Sequence, residues 1–467
     1  MPTLPPRAAE AAGIVPSARQ LAWQALEFCA LIHFGLNTFT GKEWGDGTED
    51  PALFCPKQLD CRQWAKICRA AGMRGLILVA KSHNGFCLWP TKTTTHSVAA
   101  SPWKGGAGDL VREAAEACRE IGLRFGVALS PYDRHEPSYG TAAYNDMFKA
   151  QLRELCSEYG ELFEVWFGND YDEGGQDYDW QGYYEIIREL QPNAAISSLC
   201  EPEPDIRWVG NDLGVCRSSE WSVVPQSLTA AEEELAYWDL GSHRALKRAR
   251  NTPLRWYPAE VSVPLRRGWF YREGEDIDVK PLSKLRDIYY KSVGANASLL
   301  LGISPAPTGR IAERDTETLL SLGAQLKVDF RENLAEGSVI AETCRLNDAH
   351  TGQMALEAGG SYWHSGPLGL PGAPKTAALV LDLGDDYDID KVLLREHIAT
   401  GQQIEKFSLW YDENTGPAGK SKWKPLARGT VIGHKRVCLF DERRMRRLKL
   451  VIERARGFAT IESFEAY

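Results

Sequence analysis

The sequence lacks several features that would assign a chain to a class at first sight. Its eleven cysteines include no C-x-x-C pair and no cluster with histidine at zinc spacing, and their number is odd. No uninterrupted apolar run approaches about 18 residues, and the N-terminal stretch MPTLPPRAAEAAG has no apolar region of the signal-peptide kind. We therefore expect neither a disulfide framework nor a membrane span, and predict a protein of the reducing cytoplasm.

Blocks of one charge sign are also missing. The 63 acidic and 54 basic residues give a net charge of -9 without a long run of like charges, which argues against nucleic acid or an anionic membrane as a partner. The sequence has no G-x-x-x-x-G-K-[ST] motif and no glycine-rich dinucleotide turn. The pair Ser82-His83 supplies one imidazole where a metal site usually uses two. No metal or cofactor is therefore expected.

Short apolar runs recur along the first two thirds of the chain. Each is bounded by Gly, Pro or polar residues, and helix-like segments such as CRQWAKICRAAG, DLVREAAEACREIG and WQGYYEIIRELQP separate most of them. The runs are FCALIHFG, GLILVAK, RFGVALS, FEVWFG, AAISSL, IRWVG, RWYPAEVSV and ASLLLGIS. Eight strands alternating with helices predict a (β/α)8 TIM-like barrel over residues 1–332.

The pattern changes after about residue 330. KTAALVLDLGDDYDIDKVLLREHI, IEKFSLWYDE, KWKPLARGTVIG and RRLKLVIERA alternate apolar and polar residues with a period of two, and turn residues separate them. Period-two runs without a convincing helix predict a C-terminal β-sandwich over residues 333–467.

Chemistry-bearing side chains follow the predicted barrel strands, where loops at the C-terminal ends carry the function of this fold. The candidates are His33, Asn37, Glu43 and Trp44 after the first strand, Ser82, His83, Asn84 and Phe86 after the second, Tyr132, Asp133, Arg134 and His135 after the third, Asn169, Asp170 and Asp172 after the fourth, Asn211, Asp212 and Glu220 near the sixth, and Glu260, Trp269 and Tyr271 near the seventh. An isolated His33 or Trp44 is as readily a structural side chain. Carboxylates collected on one rim with many aromatic residues instead favour a sugar site.

Longer motifs carry a resemblance to a known family. Six segments are similar to sequence motifs of glycoside hydrolase family 29 α-L-fucosidases: IHFGLNTFTGKEWGDGTEDP, GFCLWPTKTTTHSVAASPWK, LSPYDRHEPSYG, DIRWVGND, PAEVSVPLRRGWFY and LRDIYYKSVGANASLLLGISPAPTGRI. The C-terminal segments LREHIATGQQIEKFSLWYDE and RGTVIGHKR resemble the discoidin-like (F5/8 type C) module that often follows the barrel in this family.

The resemblance implies a sugar pocket and two catalytic carboxylates. It assigns the pocket to His33, Glu43, Trp44, His83 and Trp269, with Ser82 and Tyr132 at two further pocket positions. It assigns the nucleophile to the residue after WF on the fourth strand, and the acid/base to the residue after GN in RWVGND. The family's retaining mechanism implies an Asp nucleophile, a covalent glycosyl-enzyme and an acid/base that serves both steps.

The sequence of this chain differs from the family motifs at several of these pocket positions. WFDG is here WFGND, so that Gly168 stands at the nucleophile position, and Asp212 replaces the acid/base Glu. HHDGF is here SHNGF, with Ser82 for a histidine and Asn84 for an aspartate, and SPWDRH is SPYDRH, with Tyr132 for a tryptophan.

Three interpretations follow. In the first, a tight turn at Gly168 with φ > 0 returns Asp170 to the anomeric carbon as the nucleophile, opposite Asp212 as the acid/base. In the second, the pocket serves another sugar or an inverting mechanism, which needs carboxylates about 6.5–9.5 Å apart. In the third, the protein binds glycans without hydrolysis. We adopt the first, an enzyme acting on terminal α-linked fucose, or a closely related sugar, of oligosaccharides or glycoconjugates; the sequence does not indicate an oligomeric state.

Overall fold

The computed structural model describes residues 6–168, 175–198, 204–209, 211–226, 241–242, 245–246, 249, 251–357, 359–413 and 421–467. Eight parallel strands form one sheet in the order β5-β4-β3-β2-β1-β10-β9-β6. These strands are β1 Phe28–Ile32, β2 Gly75–Lys81, β3 Arg124–Leu129, β4 Glu164–Trp166, β5 Ala195–Ser197, β6 Arg207–Trp208, β9 Ala259–Pro264 and β10 Ala297–Ile303. A parallel bridge between Ser197 and Ile206 joins the two edges, so the sheet is a nearly closed barrel.

Helices connect most of the barrel strands. Those in the described part of the chain are α1 Pro6–Ala12, α2 Ala18–Gln24, α3 Leu36–Thr40, α4 Cys61–Ala70, α5 Leu110–Ile121, α6 Ala142–Glu158, α7 Trp180–Leu190, α8 Leu282–Lys291 and α9 Glu313–Asp329. Aspartate side chains at Asp60, Asp109 and Asp179 accept backbone N–H bonds in the first turns of α4, α5 and α7. Each of these three helices therefore begins where the sequence supplies an N-cap.

All eight barrel strands predicted from the sequence are present. The run RWYPAEVSV is divided, however, because Leu254–Trp256 (β8) pairs antiparallel with Val223–Pro225 (β7) outside the barrel. The barrel strand β9 begins only at Ala259. Pro258 between them has no N–H to donate to a ladder, which explains the break.

The C-terminal part of the chain is antiparallel. Its strands are β11 Val339–Glu342, β12 Trp363–His364, β13 Ala377–Arg395, β14 Ile404–Asp412, β15 Trp423–Gly429, β16 Arg436–Ala455, β17 Thr460–Ile461 and β18 Ser463–Ala466. A six-stranded sheet and the pair β12-β17 form the predicted sandwich over a shared apolar core. The predicted boundary between residues 332 and 333 lies in the connector from α9 to β11. No helix in the described ranges is long and apolar enough to cross a membrane.

Candidate active site

A cavity of about 190 Å³ lies at the C-terminal ends of the barrel strands. Its lining comes from the ends of β1, β2, β3, β4, β6 and β9 and the loops that follow them: Leu31, His33, Glu43, Trp44, Val79, Lys81, Ser82, His83, Ala128, Leu129, Ser130, Trp166, Gly168, Trp208, Asp212, Ser262, Trp269 and Phe270. Active sites of this fold occupy the same end of the barrel. The volume is below the roughly 300 Å³ of pockets for drug-sized ligands, so it suits one small ligand.

One wall of the cavity is formed by His83 and Trp44. The Gly45 N–H donates to His83 Nε2 at 2.9 Å. A backbone N–H can only donate, so Nε2 is the unprotonated nitrogen and a neutral His83 carries its proton on Nδ1. The Trp44 ring lies 4.4 Å from the imidazole, and the residue is 56% exposed. This wall therefore offers a polar group and an aromatic face at the mouth.

A second part of the cavity wall is organised by Glu43. Its Oε1 accepts a hydrogen bond from the backbone N–H of Trp269 at 2.6 Å, and its Oε2 accepts one from Arg272 Nη2 at 3.0 Å. A Cβ added at Gly268 would lie 2.5 Å from Glu43 Oε2, so a side chain at this position would displace the Glu43 carboxylate. The Trp269 ring in turn lies 4.9 Å from the His33 ring. Glu43 thus fixes an aromatic loop over the end of β1.

Short polar side chains connect the first and second rim loops. Ser82 Oγ donates to Asn84 Oδ1 at 3.0 Å, and Asn84 Nδ2 donates to Asn37 Oδ1 at 2.8 Å. Asn37 Nδ2 donates to the Glu43 carbonyl at 2.9 Å. A second cavity of about 10 Å³, the size of one water, adjoins Ser82 behind the main cavity. The two substitutions in SHNGF therefore belong to one hydrogen-bonded unit with spare room beside it.

The third rim loop is anchored beneath the cavity. The fully buried Lys81 Nζ lies 2.9 Å from Asp133 Oδ2. Burial acts to raise the pKa of Asp133, but the Lys81 ammonium outweighs it and holds the pKa below its usual value. Tyr132 is absent from the cavity lining and packs edge-on against Tyr139, with the Arg134 guanidinium over its ring. Of the seven predicted binding residues, the other six line the cavity.

The predicted catalytic positions differ in what the structure describes. Asp212 lines the cavity, and its Oδ1 accepts a hydrogen bond from Ser262 Oγ at 3.2 Å. Gly168 also lines the cavity with φ +67°, the left-handed conformation that the tight-turn hypothesis requires. Asp170 lies outside the described residues, as do Asn169 and Asp172.

Two candidates from the sequence are buried away from the cavity lining. Glu260 is 2% exposed and is faced by Glu164 from β4, while Glu220 is buried in ion pairs with Arg207 and Arg217. Burial raises the pKa of Glu260 to about 7, and burial followed by the charge of Glu260 raises the pKa of Glu164 well above its usual value. Neither Glu220 nor Glu260 lines the cavity.

Sequence reasoning missed cavity residues on the strands themselves. Trp166, Trp208 and Ser262 occupy inward positions at the ends of β4, β6 and β9. The Trp166 indole hydrogen-bonds to the Glu260 carboxyl, and Trp208 Nε1 donates to Ser262 Oγ at 2.9 Å. Alternate residues near the C-terminal end of a barrel strand point into the barrel, and this period of two could have identified these cavity residues from the sequence. Among the described residues, no group of three or more His, Cys, Asp or Glu side chains is arranged to hold a metal.

Comparison with known proteins adds independent information. The α-L-fucosidase family model matches residues 37–330. α-L-Fucosidase 1 of Arabidopsis thaliana is 36% identical over 455 residues, covering 95% of this chain and 85% of the plant protein. A glycoside hydrolase 29 family member from an unknown rumen bacterium has a structure with a TM-score of 0.81 and 37% identity, covering 97% of this chain and 77% of that one.

A ligand complex is also similar. The Ruminococcus gnavus family 29 fucosidase in complex with fucose matches with a TM-score of 0.85 and 26% identity, over 97% of this chain and 95% of that one. The family match, the near full-length similarity and the shared barrel agree with the motifs in the sequence. The chain belongs to the α-L-fucosidase family, glycoside hydrolase family 29.

Proposed function

We propose that the protein hydrolyses terminal α-linked L-fucose, or a closely related sugar, from oligosaccharides or glycoconjugates by a retaining mechanism. The observation that carries this proposal is the placement of Asp212, whose carboxylate borders a cavity of single-sugar size that also contains His33, His83 and Trp269. Aromatic walls beside a carboxylate suit a pyranose, which presents C–H faces and hydroxyl edges.

Asp212 serves as the acid/base in this mechanism. It first donates a proton to the glycosidic oxygen as the bond to the anomeric carbon breaks, and the leaving alcohol departs. It then takes a proton from the water that attacks the anomeric carbon of the glycosyl-enzyme, which releases the sugar and frees the nucleophile. We assign the nucleophile to Asp170, which would form the glycosyl ester. The positive φ of Gly168 is compatible with that assignment.

Azide chemistry tests both assignments on an aryl α-L-fucoside. We expect Asp170→Ala to lower kcat by roughly 10⁴-fold or more and Asp212→Ala to lower it by about 10²–10⁴-fold. Azide should restore turnover of Asp170→Ala with inversion, giving the β-fucosyl azide, and of Asp212→Ala with retention, giving the α-fucosyl azide. Asp172→Ala, two positions further along the sequence, is the matched control and should keep wild-type turnover.

Two results would change the assignment of the nucleophile or of the mechanism. Full activity of Asp170→Ala would exclude Asp170 as the nucleophile, and an inverted initial product from the wild type would establish an inverting mechanism with a wider carboxylate pair.

A second function, glycan binding without hydrolysis, also has a specific observation behind it. Gly168 brings no carboxylate to the cavity at the position where the family motif has one. A wild type that binds fucose in calorimetry but hydrolyses no glycoside would establish that glycan-binding role.

The proposed specificity depends on Ser82. A serine supplies a shorter polar group than histidine, and the adjoining 10 Å³ cavity leaves room for a differently placed hydroxyl or water. Since a polar pocket discriminates strongly among hydroxyl patterns, a panel of aryl glycosides should show relaxed preference for fucose, and Ser82→His should narrow it. Strict fucose preference in the wild type would contradict this proposal.

The sandwich and the location complete the proposal. We propose that residues 333–467 form a discoidin-like accessory module without a part in the chemistry; the cavity lining includes no residue beyond Phe270. We propose a cytoplasmic location, with which the free thiols of all ten cysteines in the described ranges are compatible.

A further inference from the structure

The loop that carries Asp212 forms two hydrogen bonds with Ser262 of strand β9. The Gly214 N–H donates to the Ser262 carbonyl at 3.2 Å, while Ser262 Oγ reaches Asp212 Oδ1 at 3.2 Å. Gly214 has φ +69°, and a Cβ there would lie 2.7 Å from Val263 Cγ1. The glycine therefore permits a close approach of this loop to β9, and Ser262 holds the loop through both its backbone and its side chain.

The hydrogen bond from Trp208 sets the direction of the Ser262 hydroxyl. Trp208 Nε1 lies 2.9 Å from Ser262 Oγ, and an indole N–H only donates. Ser262 Oγ therefore accepts from Trp208, and its own proton is available for Asp212, whose carboxylate only accepts when ionised. The resulting chain runs from the Trp208 N–H through the Ser262 O–H to Asp212 Oδ1.

We propose that Ser262 is a positioning residue for the acid/base: its hydroxyl donates to Asp212 Oδ1 and so fixes the orientation of the carboxyl group that delivers the proton to the glycosidic oxygen. This inference rests on the proposed function of Asp212. Aspartate reaches less far than the glutamate of the family motif, so the orientation of its carboxyl group has a larger effect on proton transfer. Ser262 is 3% exposed and lines the cavity together with Asp212.

Leaving-group dependence separates positioning from a structural role. An acid assists the departure of a poor leaving group and is nearly dispensable for a good one. We expect Ser262→Ala to lower kcat/KM about tenfold for an alkyl α-L-fucoside, the scale of one hydrogen bond to a charged group. For 2,4-dinitrophenyl α-L-fucoside, kcat/KM should stay within about twofold. Because kcat/KM reports only steps through the first irreversible one, the later water step does not enter.

Three further variants control the measurement. Ser262→Thr keeps the hydroxyl and should recover the wild-type ratio between the two substrates, and Trp208→Phe should shift the ratio in the same direction as Ser262→Ala but less. Ser292→Ala removes an equally buried hydroxyl, bonded to the Ile288 carbonyl at 2.7 Å on α8, and should leave the ratio unchanged. Thermal unfolding of each variant confirms that it is folded.

The outcomes distinguish the two proposals. An equal loss of kcat/KM for both substrates in Ser262→Ala, or failure of Ser262→Thr to recover the ratio, would overturn the positioning role. If Asp212→Asn discriminates between the leaving groups while Ser262→Ala does not, Asp212 remains the acid and only Ser262 is misassigned. If Asp212→Asn itself does not discriminate, or the wild type hydrolyses no fucoside, the acid/base assignment is wrong and the role of Ser262 fails with it.

Discussion

Two polar clusters at opposite ends of the barrel differ in the surroundings of their carboxylates. At the base, before β1, Glu27 Oε1 lies 2.6 Å from Arg395 and Oε2 lies 2.8 Å from Lys435, both from the sandwich. Burial acts to raise the pKa of Glu27, but Lys435 and Arg395 hold it well below its usual value. At the rim, Asp212 accepts from the neutral hydroxyl of Ser262 and faces a cavity.

The difference separates a structural cluster from the cluster that contains the proposed acid/base. Two cations fix the Glu27 charge and join two domains, so this carboxylate has no tendency to take up a proton near neutral pH. The proposed acid/base Asp212 must instead exchange a proton with the substrate during each turnover, which requires a carboxylate that reaches the cavity. Burial of a carboxylate is common to Glu27, Glu220 and Glu260, so burial alone does not identify a site.

Removal of the sandwich should have the largest effect. The barrel-side residues Trp221, Val224 and Tyr257 form one apolar cluster with Val431 of the sandwich, and Glu27 loses both cationic partners. We expect residues 1–332 alone to give no soluble folded protein, as judged by soluble yield and circular dichroism. A folded fragment with wild-type unfolding temperature would show that the base cluster is dispensable.

Glu27→Gln tests the base cluster within the full chain. Breaking a buried ion pair from one side leaves uncompensated charge and typically costs about 3–5 kcal/mol of unfolding free energy. We expect a loss of that size in urea unfolding, with kcat/KM on an aryl fucoside within about twofold of wild type. A fall in kcat/KM without a loss of stability would show that Glu27 supports activity and not the stability of the fold.

Glu43→Gln is the counterpart at the rim. The change removes the charge that holds Arg272 and weakens the bond from the Trp269 N–H. We expect kcat/KM to fall about 10–100-fold, mainly through KM, which corresponds to about 1.4–2.7 kcal/mol of binding. The unfolding free energy should change by less than about 1 kcal/mol, because the ion pair is partly exposed.

A matched control uses the other carboxylate on the same arginine. Glu275 lies 3.5 Å from Arg272 and does not line the cavity. Glu275→Gln should leave KM near the wild-type value. Equal effects of both variants would show that Arg272, and not the Trp269 loop, determines substrate binding.

The sequence predicted the fold better than the site, for physical reasons. Buried parallel strands are continuous apolar runs, and helices α4, α5 and α7 begin with Asp caps, so these elements have local signatures. The division at Pro258 and the cavity side chains Trp166 and Ser262 depend on how strands register around the barrel. Tyr132 occupies a motif position but packs against Tyr139 and does not line the cavity. This packing depends on tertiary contacts that a single sequence does not reveal.

The smallest expected effect concerns the carboxyl pair Glu164 and Glu260 below the cavity. Burial raises the pKa of Glu260 to about 7, so the folded state retains a proton that the unfolded chain, with a pKa near 4.5, has lost. Stability from this group is therefore fully present below about pH 4.5 and is lost as pH rises through about 7. Burial also raises the pKa of Glu396 in the sandwich to about 7, although three backbone N–H groups favour its charged form.

Glu260→Gln isolates the contribution of the barrel. The amide cannot ionise, and it can donate to Glu164, which lowers the need for a shared proton. We expect the fall in unfolding temperature between pH 5 and pH 8 to shrink by a few degrees relative to wild type. Glu396→Gln should shrink it in the same direction, and the double variant should add the two effects because the groups lie in separate domains. Parallel curves for wild type and Glu260→Gln, measured by calorimetry, would show that Glu260 ionises at its ordinary pKa in the folded protein.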